Sequence, residues 1–201
     1  MASASSSVIV RNAKKEDLGA ILTMIQELAD FEKMPSGPEL TVEDLARDGG
    51  FENGGPAVFQ SMVLELTEEE QQRQMAKTEN NKEKLPSSSS STAELLTRKL
   101  VGYAIFFYSY STWQGKAFFL EDIYVKPEYR QFGYGRTLFQ SLVQHALQNG
   151  CSRFDFHVLA WNPAKEFYRR MGAENLTETE EWQFFRLNRE KMNQLCQKGS
   201  R

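Results

Sequence analysis

Residues Arg130 to Gly135 read RQFGYG, and they stand between the apolar run KAFFLEDIYV (Lys116 to Val125) and a helical pattern. Two glycines one residue apart at a strand-to-helix junction have a physical meaning. Glycine reaches φ > 0 and, having no side chain, lets a ligand come close to the backbone. A glycine turn that opens a helix also aims free N–H groups, and the positive end of the helix dipole, at an anion. The stretch reads as a phosphate cradle, with an ordinary helix start as the alternative on GYG alone. Two other phosphate motifs are excluded. A P-loop needs G-x-x-x-x-G-K-[ST], which the chain lacks, and a dinucleotide fingerprint needs a small residue where Leu138 stands.

Outward from this turn the pattern is regular. Upstream, LVGYAIFFYSYS (Leu100 to Ser111) and Lys116 to Val125 carry strand composition and join through a turn containing Gly115, which predicts an antiparallel hairpin. Downstream, Leu138, Phe139, Leu142, Val143, Ala146 and Leu147 trace a helix that stops at Asn149-Gly150. RFDFHVLAW then alternates Phe154, Phe156 and Val158 on one face, Asn162-Pro163 opens the helix AKEFYRRM, and EWQFFRL supplies a last strand. Nearer the start, Ser7 to Arg11 reads as a strand. Leu18, Ile21, Leu22, Ile25 and Leu28 make one helical stripe that ends before Pro35. Thr41 and Asp44 stand at capping-box spacing before a short helix closed by Gly49-Gly50, and Ala57 to Leu66 is another strand. The order β-α-α-β-β-β-α-β-α-β predicts an α+β fold, a sheet with helices on its faces.

Bulk properties bound the function. At 201 residues the chain suits one domain, taken as 7–190 with tails at 1–6 and 191–201. Thr67 to Lys99 has too few large apolar residues to build a core and reads as a hydrophilic surface excursion. A net charge of -3 argues against a nucleic-acid partner. Two cysteines without CxxC spacing, Cys151 and Cys196, indicate neither a metal site nor a disulfide framework and fit a reducing compartment. With no secretory h-region at the start and no apolar run of about 20 residues, a cytoplasmic protein without membrane spans is expected.

The motifs EDIYVKPEYRQFGYGRTLF and WNPAKEFYRRMGA together resemble the acetyl-CoA-binding core of the GNAT N-acetyltransferases. VIVRNAKKED, IQELADFEKM, LTVEDL, FFLEDIYV and EEWQFFRL resemble its spermidine/spermine (diamine) and thialysine branch. The resemblance implies a mixed, mostly antiparallel twisted sheet with acetyl-CoA held between splayed central strands. It further implies that Ile123, Tyr124 and Val125 pair with the pantetheine arm, and that Gln131, Phe132, Gly133, Tyr134, Gly135 and Arg136 wrap the pyrophosphate. Asn162, Pro163, Ala164 and Lys165 would hold the far side of the arm, though the chain is one residue shorter than the family pattern before Phe167-Tyr168. Arg136 stands where a small polar residue is common; it reads as a cation for the phosphates or as an exposed helix-surface arginine.

An amine arrives as ammonium, with a reference pKa near ~10.4, and cannot attack until it loses a proton. A site for its acetylation must take that proton, stabilise an oxyanion and protonate the leaving sulfur. In the family context Tyr168 is the donor for sulfur, and Glu121 orients the ammonium and relays its proton through water. Asp122, the next residue on the strand, is expected to face the other way. By the same resemblance Phe31, Glu32, Asp155, Phe156, His157 and Glu180 contact the substrate, His157 being equally readable as a structural strand residue. The expected activity is acetyl-CoA-dependent N-acetylation of a small cationic amine (polyamine, diamine or thialysine-like) in a ternary complex, without a metal, by a homodimer. The alternatives are a relative acting on an arylalkylamine or a protein amino group, and a non-catalytic acyl-CoA-binding dimer module.

Overall fold

β-Branched and aromatic side chains favour extended backbone because they pack across neighbouring strands, and the runs rich in them pair with one another here. The computed structural model describes residues 7–34, 36–52, 55–73 and 100–198. Five strands, β1 (Val8–Asn12), β2 (Gln60–Leu66), β3 (Leu100–Ser111), β4 (Gly115–Val125) and β5 (Phe154–Phe156), lie side by side in chain order. The first four pair antiparallel and β5 pairs parallel to β4. The expected hairpin is present, and Gly115 closes its turn at φ 86°. Directly opposed Phe107 and Phe119 stack at 5.0 Å, and Phe118 stacks on Phe154 at 4.5 Å across the β4–β5 step. Each such pair adds about 0.5–1.5 kcal/mol beyond its buried area.

Helices cover both faces of the sheet. On one, α1 (Leu18–Phe31) and α2 (Val42–Asp48) set Leu18, Ile21, Met24, Leu45 and Ala46 against Val63, Tyr103, Ile105 and Tyr124. On the other, α3 (Tyr134–Gln148) buries Leu138, Phe139, Leu142 and Ala146, and Phe139 meets Phe154 at 5.3 Å. Full burial of one such side chain is worth about 1.5–3 kcal/mol. The capping box expected of Thr41 forms: its hydroxyl accepts from the Asp44 N–H at 3.1 Å, and its own N–H donates to Asp44 at 3.0 Å. Where β1 meets β2, Arg11 donates two hydrogen bonds to Asp17 (2.6 and 3.1 Å) and one to Glu65, both acids being buried. Burial works against the charge on Asp17, but Arg11 and the Lys14 N–H outweigh it and hold the carboxyl below its ordinary range.

Contacts divide the chain between His157 and Val158 into two units. The second holds α4 (Ala164–Arg170), α5 (Leu176–Thr179) and α6 (Arg189–Lys198). Three expectations are corrected here, the first being that the strand expected over RFDFHVLAW is short: β5 ends at Phe156 and Val158 lies outside it. EWQFFRL forms no strand: 181–188 is in no ladder among the described residues, and Trp182, Phe184, Phe185 and Leu187 are exposed. Strand composition becomes a strand only beside a partner edge. The strand beginning at Ala57 starts later, at Gln60, where pairing with β3 begins. The excursion expected over Thr67–Lys99 opens as a helical turn at 68–73, while 74–99 and the outermost tails lie outside the described residues. Among the described residues, no helix is long and apolar enough to cross a membrane.

Candidate active site

The sheet opens where β4 outlasts its neighbour. β5 pairs with β4 only from Phe118 to Leu120, so Glu121 to Val125 run on past the end of β5. Ile123, Tyr124 and Val125, expected along a ligand arm, lie on this stretch. A strand edge without a neighbouring strand presents backbone donors and acceptors ready to pair with an extended ligand.

The glycine turn follows directly. A 3₁₀ turn (Pro127–Tyr129) leads to Arg130, whose Nε donates to the Val125 carbonyl at 2.8 Å and ties the loop to the end of β4. Gln131 at φ 68° and Gly133 at φ 84° are both left-handed, and α3 starts at Tyr134. No side chain caps that helix. The N–H groups of Tyr134, Gly135 and Arg136 belong to its first turn and lack helical acceptors, the arrangement that receives an anion. The two glycines differ in cause. Gly133 is required by its φ. A Cβ on Gly135 would meet only Val125 Cγ2, at an ordinary 3.9 Å, so protein packing does not demand glycine there and an approaching ligand would explain it. Phe132 is exposed, and its ring lies 5.8 Å from that of Tyr134.

Acidic and aromatic groups gather where α1 ends against β4. Phe31 is 39% exposed and lies 5.8 Å below the Arg130 guanidinium, which also covers the Tyr124 ring at 5.3 Å. Burial pushes the Glu32 carboxyl up. On β4 the ladder slips by one residue: Ile105 pairs with Asp122 and Phe106 with Leu120, leaving Glu121 as an unpaired bulge residue. Glu121 is exposed, whereas Asp122 is partly buried and accepts from the Tyr103 hydroxyl at 3.1 Å. Burial, first, and the charges of Glu121 and Glu32 push Asp122 up to about 6, against the pull of the Tyr103 donor.

Asp155, Phe156 and His157 lie on or just after β5. Asp155 is engaged by Arg153 at 2.8 Å, Phe156 packs edge-on to Phe139, and His157 stands edge-on to Phe119 at 5.1 Å. The remaining expected residues belong to the second unit. Asn162 Oδ1 accepts from the Ala164 N–H at 2.9 Å, so this side chain shapes the turn of Pro163, Ala164 and Lys165 into α4. Tyr168 sits in the middle of α4, and burial pushes its hydroxyl up to about 12, keeping it protonated at neutral pH. Glu180 is exposed and accepts from Trp182 Nε1 at 2.7 Å.

Sequence reasoning missed three residues here: Tyr103, Asp122 and Arg130. The 19-residue gap between Tyr103 and Asp122 carries no periodic signal. Only the hairpin register, with its bulge, brings them together.

The sequence profile described as the Acetyltransferase (GNAT) family matches residues 56–173. The thialysine N-epsilon-acetyltransferase of Sus scrofa is 38% identical to this chain, over 96% of it and 99% of the relative. The spermidine/spermine N(1)-acetyltransferase-like protein 1 of Homo sapiens is 32% identical over 91% of this chain and 23% of its own length. A solved aminoglycoside acetyltransferase from an uncultured soil metagenomic sample superposes with a TM-score of 0.62, covering 92% of this chain and 99% of its own. At 14% identity that likeness speaks for the fold alone.

Proposed function

This chain belongs to the GNAT family of acetyltransferases, and from that premise we propose that it moves the acetyl group of acetyl-CoA to a primary amine of a small cationic substrate, of the polyamine, diamine or thialysine-like class. The observation that carries this reading is the 38% identity to a thialysine acetyltransferase over nearly the whole of both chains. Exposed or half-buried acids at Glu32, Glu121 and Glu180 suit a cationic substrate.

Acetyl-CoA supplies the activated acetyl thioester; the rest is done by side chains and backbone. The open β4 edge from Ile123 to Val125 would hold the extended arm. The first amides of α3, with Gln131 to Gly135, would receive the pyrophosphate, and Arg136 adds a cation beside them. By the family resemblance, Asn162 to Lys165 would also hold the arm. Tyr168, protonated at neutral pH, would donate to the leaving sulfur. Glu121 would orient the ammonium and relay its proton through water, with Phe31, Glu32, Asp155, Phe156, His157 and Glu180 contacting the substrate.

We further propose a cytoplasmic homodimer. Cys151 and Cys196 are free, which suits a reducing compartment. Trp182, Phe184, Phe185 and Leu187 are an apolar surface that a second copy would cover.

Release of coenzyme A over a panel of spermidine, putrescine, thialysine, tryptamine and a peptide pool tests the reading. Turnover is expected with at least one of the first three. Turnover confined to tryptamine or peptides would overturn the substrate class, and bound acetyl-CoA without any turnover would favour a non-catalytic module. In the same assay Gly135→Val is expected to remove acetyl-CoA binding in calorimetry while circular dichroism stays unchanged. Undiminished affinity would refute the cradle.

A further inference from the structure

Helix α3 opens at the glycine turn, and its other end is fastened by side chains that the proposed reaction does not use. His145 stands in the last turn, its ring 5.2 Å from that of Phe106 and 6.4 Å from that of Phe118. Its Nε2 lies 3.0 Å from the Tyr108 hydroxyl on β3. From β4, the Lys116 ammonium sits 3.7 Å over the Tyr108 ring and donates to the Asn149 carbonyl at 3.1 Å, just past the helix. Both strands of the hairpin thus hold the end of α3.

We propose that this fastening is an acid-sensitive latch: neutral His145 accepts the Tyr108 proton at a bare Nε2 and so pins the last turn of α3 to the hairpin, and a proton taken up at Nε2 releases it. The latch does not depend on the acetyltransferase reading.

The hydrogen-bond directions follow from the neighbours. A tyrosine hydroxyl has one proton to give. Gln60, from β2, hydrogen-bonds to the same hydroxyl in the sense that favours the phenolate, that is, as a donor. The hydroxyl proton is therefore left for His145, whose own ring proton then sits on Nδ1. Protonation puts an N–H where the acceptor was, and a second positive charge beside Lys116. A helix C-terminus ordinarily welcomes a cation, but here Lys116 already occupies the Asn149 carbonyl.

The titratable and charged groups bearing on the latch are Tyr108 on β3, Lys116 on β4 and, acting on the tyrosine, Cys151 after α3. Burial, first, and Lys116 hold His145 below its ordinary range. Burial and Cys151 push Tyr108 up, so it remains a donor at neutral pH. The sign follows. A base that titrates lower in the fold than the free imidazole value of about 6.5 contributes fully above that pH, and its contribution is lost as pH falls below it.

The test is nuclear magnetic resonance on the full chain, which has two histidines; His145→Gln assigns their signals. His145 should titrate with a midpoint below about 6.5 and be the Nδ1–H tautomer above it. Protection of the amides of residues 146–149 against hydrogen exchange should weaken by up to about tenfold per pH unit below that value, and this slope should vanish in His145→Gln. Lys116→Gln, at an exposed position, should raise the His145 midpoint by removing the neighbouring charge. Tyr108→Phe should raise it by removing the donor, whereas a tyrosine that only fills space would leave it unmoved. A wild-type midpoint at or above about 6.5, the Nε2–H tautomer, a midpoint unmoved in Tyr108→Phe, or a slope that survives in His145→Gln overturns the proposal. If either of these two variants does not fold, the wild-type tautomer and the midpoints of wild type and Lys116→Gln decide it.

Discussion

The two units of this chain are built on different terms. The unit ending at His157 has a sheet, and its ladder turns composition into burial: Val63, Tyr103, Phe106 and Phe118 are fully enclosed. In the second unit none of the described residues from 158 to 197 is fully enclosed, Tyr168 being half-buried, although it contains Trp161, Trp182, Phe184, Phe185 and Leu187. Apolar residues alone do not make a core. They need a regular surface to pack upon, and three short helices without a ladder do not provide one. The expected coenzyme cradle therefore rests on a rigid frame, whereas the expected acid, Tyr168, rides on a seven-residue helix.

The largest expected effect probes the second unit. Tyr168→Phe keeps the ring and removes the hydroxyl, so kcat should fall by ~10²–10⁴-fold with acetyl-CoA affinity almost unchanged. Because burial holds this hydroxyl protonated up to about 12, wild-type turnover should show no alkaline loss from this group until pH nears that value. Near-full turnover in the variant would make Tyr168 a packing residue and leave the second unit without a chemical role.

A smaller effect belongs to the frame. Arg11→Met leaves Asp17 and Glu65 buried without their cation, which should cost about 3 kcal/mol in urea unfolding. The sign with pH is fixed. Asp17 titrates below its ordinary range in the fold, so its contribution is full above the unfolded carboxyl value of about 4 and is lost as pH falls below it. That acid-side loss should shrink in the variant. An unchanged urea midpoint would mean that the frame does not depend on this cluster.

The smallest effect on stability should come from the exposed segment. Phe185, at 82% exposure, can become Ser with a change within about 0.5 kcal/mol. If the proposed dimer forms through this segment, sedimentation should move toward monomer. A dimer that persists in Phe184→Ser/Phe185→Ser would place the interface elsewhere.

Read on its own, the sequence determined the helices α1 to α4, the first four strands and the hairpin, but not α5 or α6, because 3.6-residue and two-residue periodicities, capping pairs and glycine turns are local properties. The Thr41–Asp44 box and the start of α3 after Gly133 are instances. It also indicated the family, since motif spacing such as that in RQFGYG is carried along the chain. Tertiary structure alone decided which residue of Glu121-Asp122 turns inward, that Tyr103 holds it, that Arg153 occupies Asp155, and that EWQFFRL stays unpaired. Each of these depends on register and on the presence of a neighbouring edge. A one-residue slip reverses every side chain beyond it, and no local pattern encodes where that slip falls.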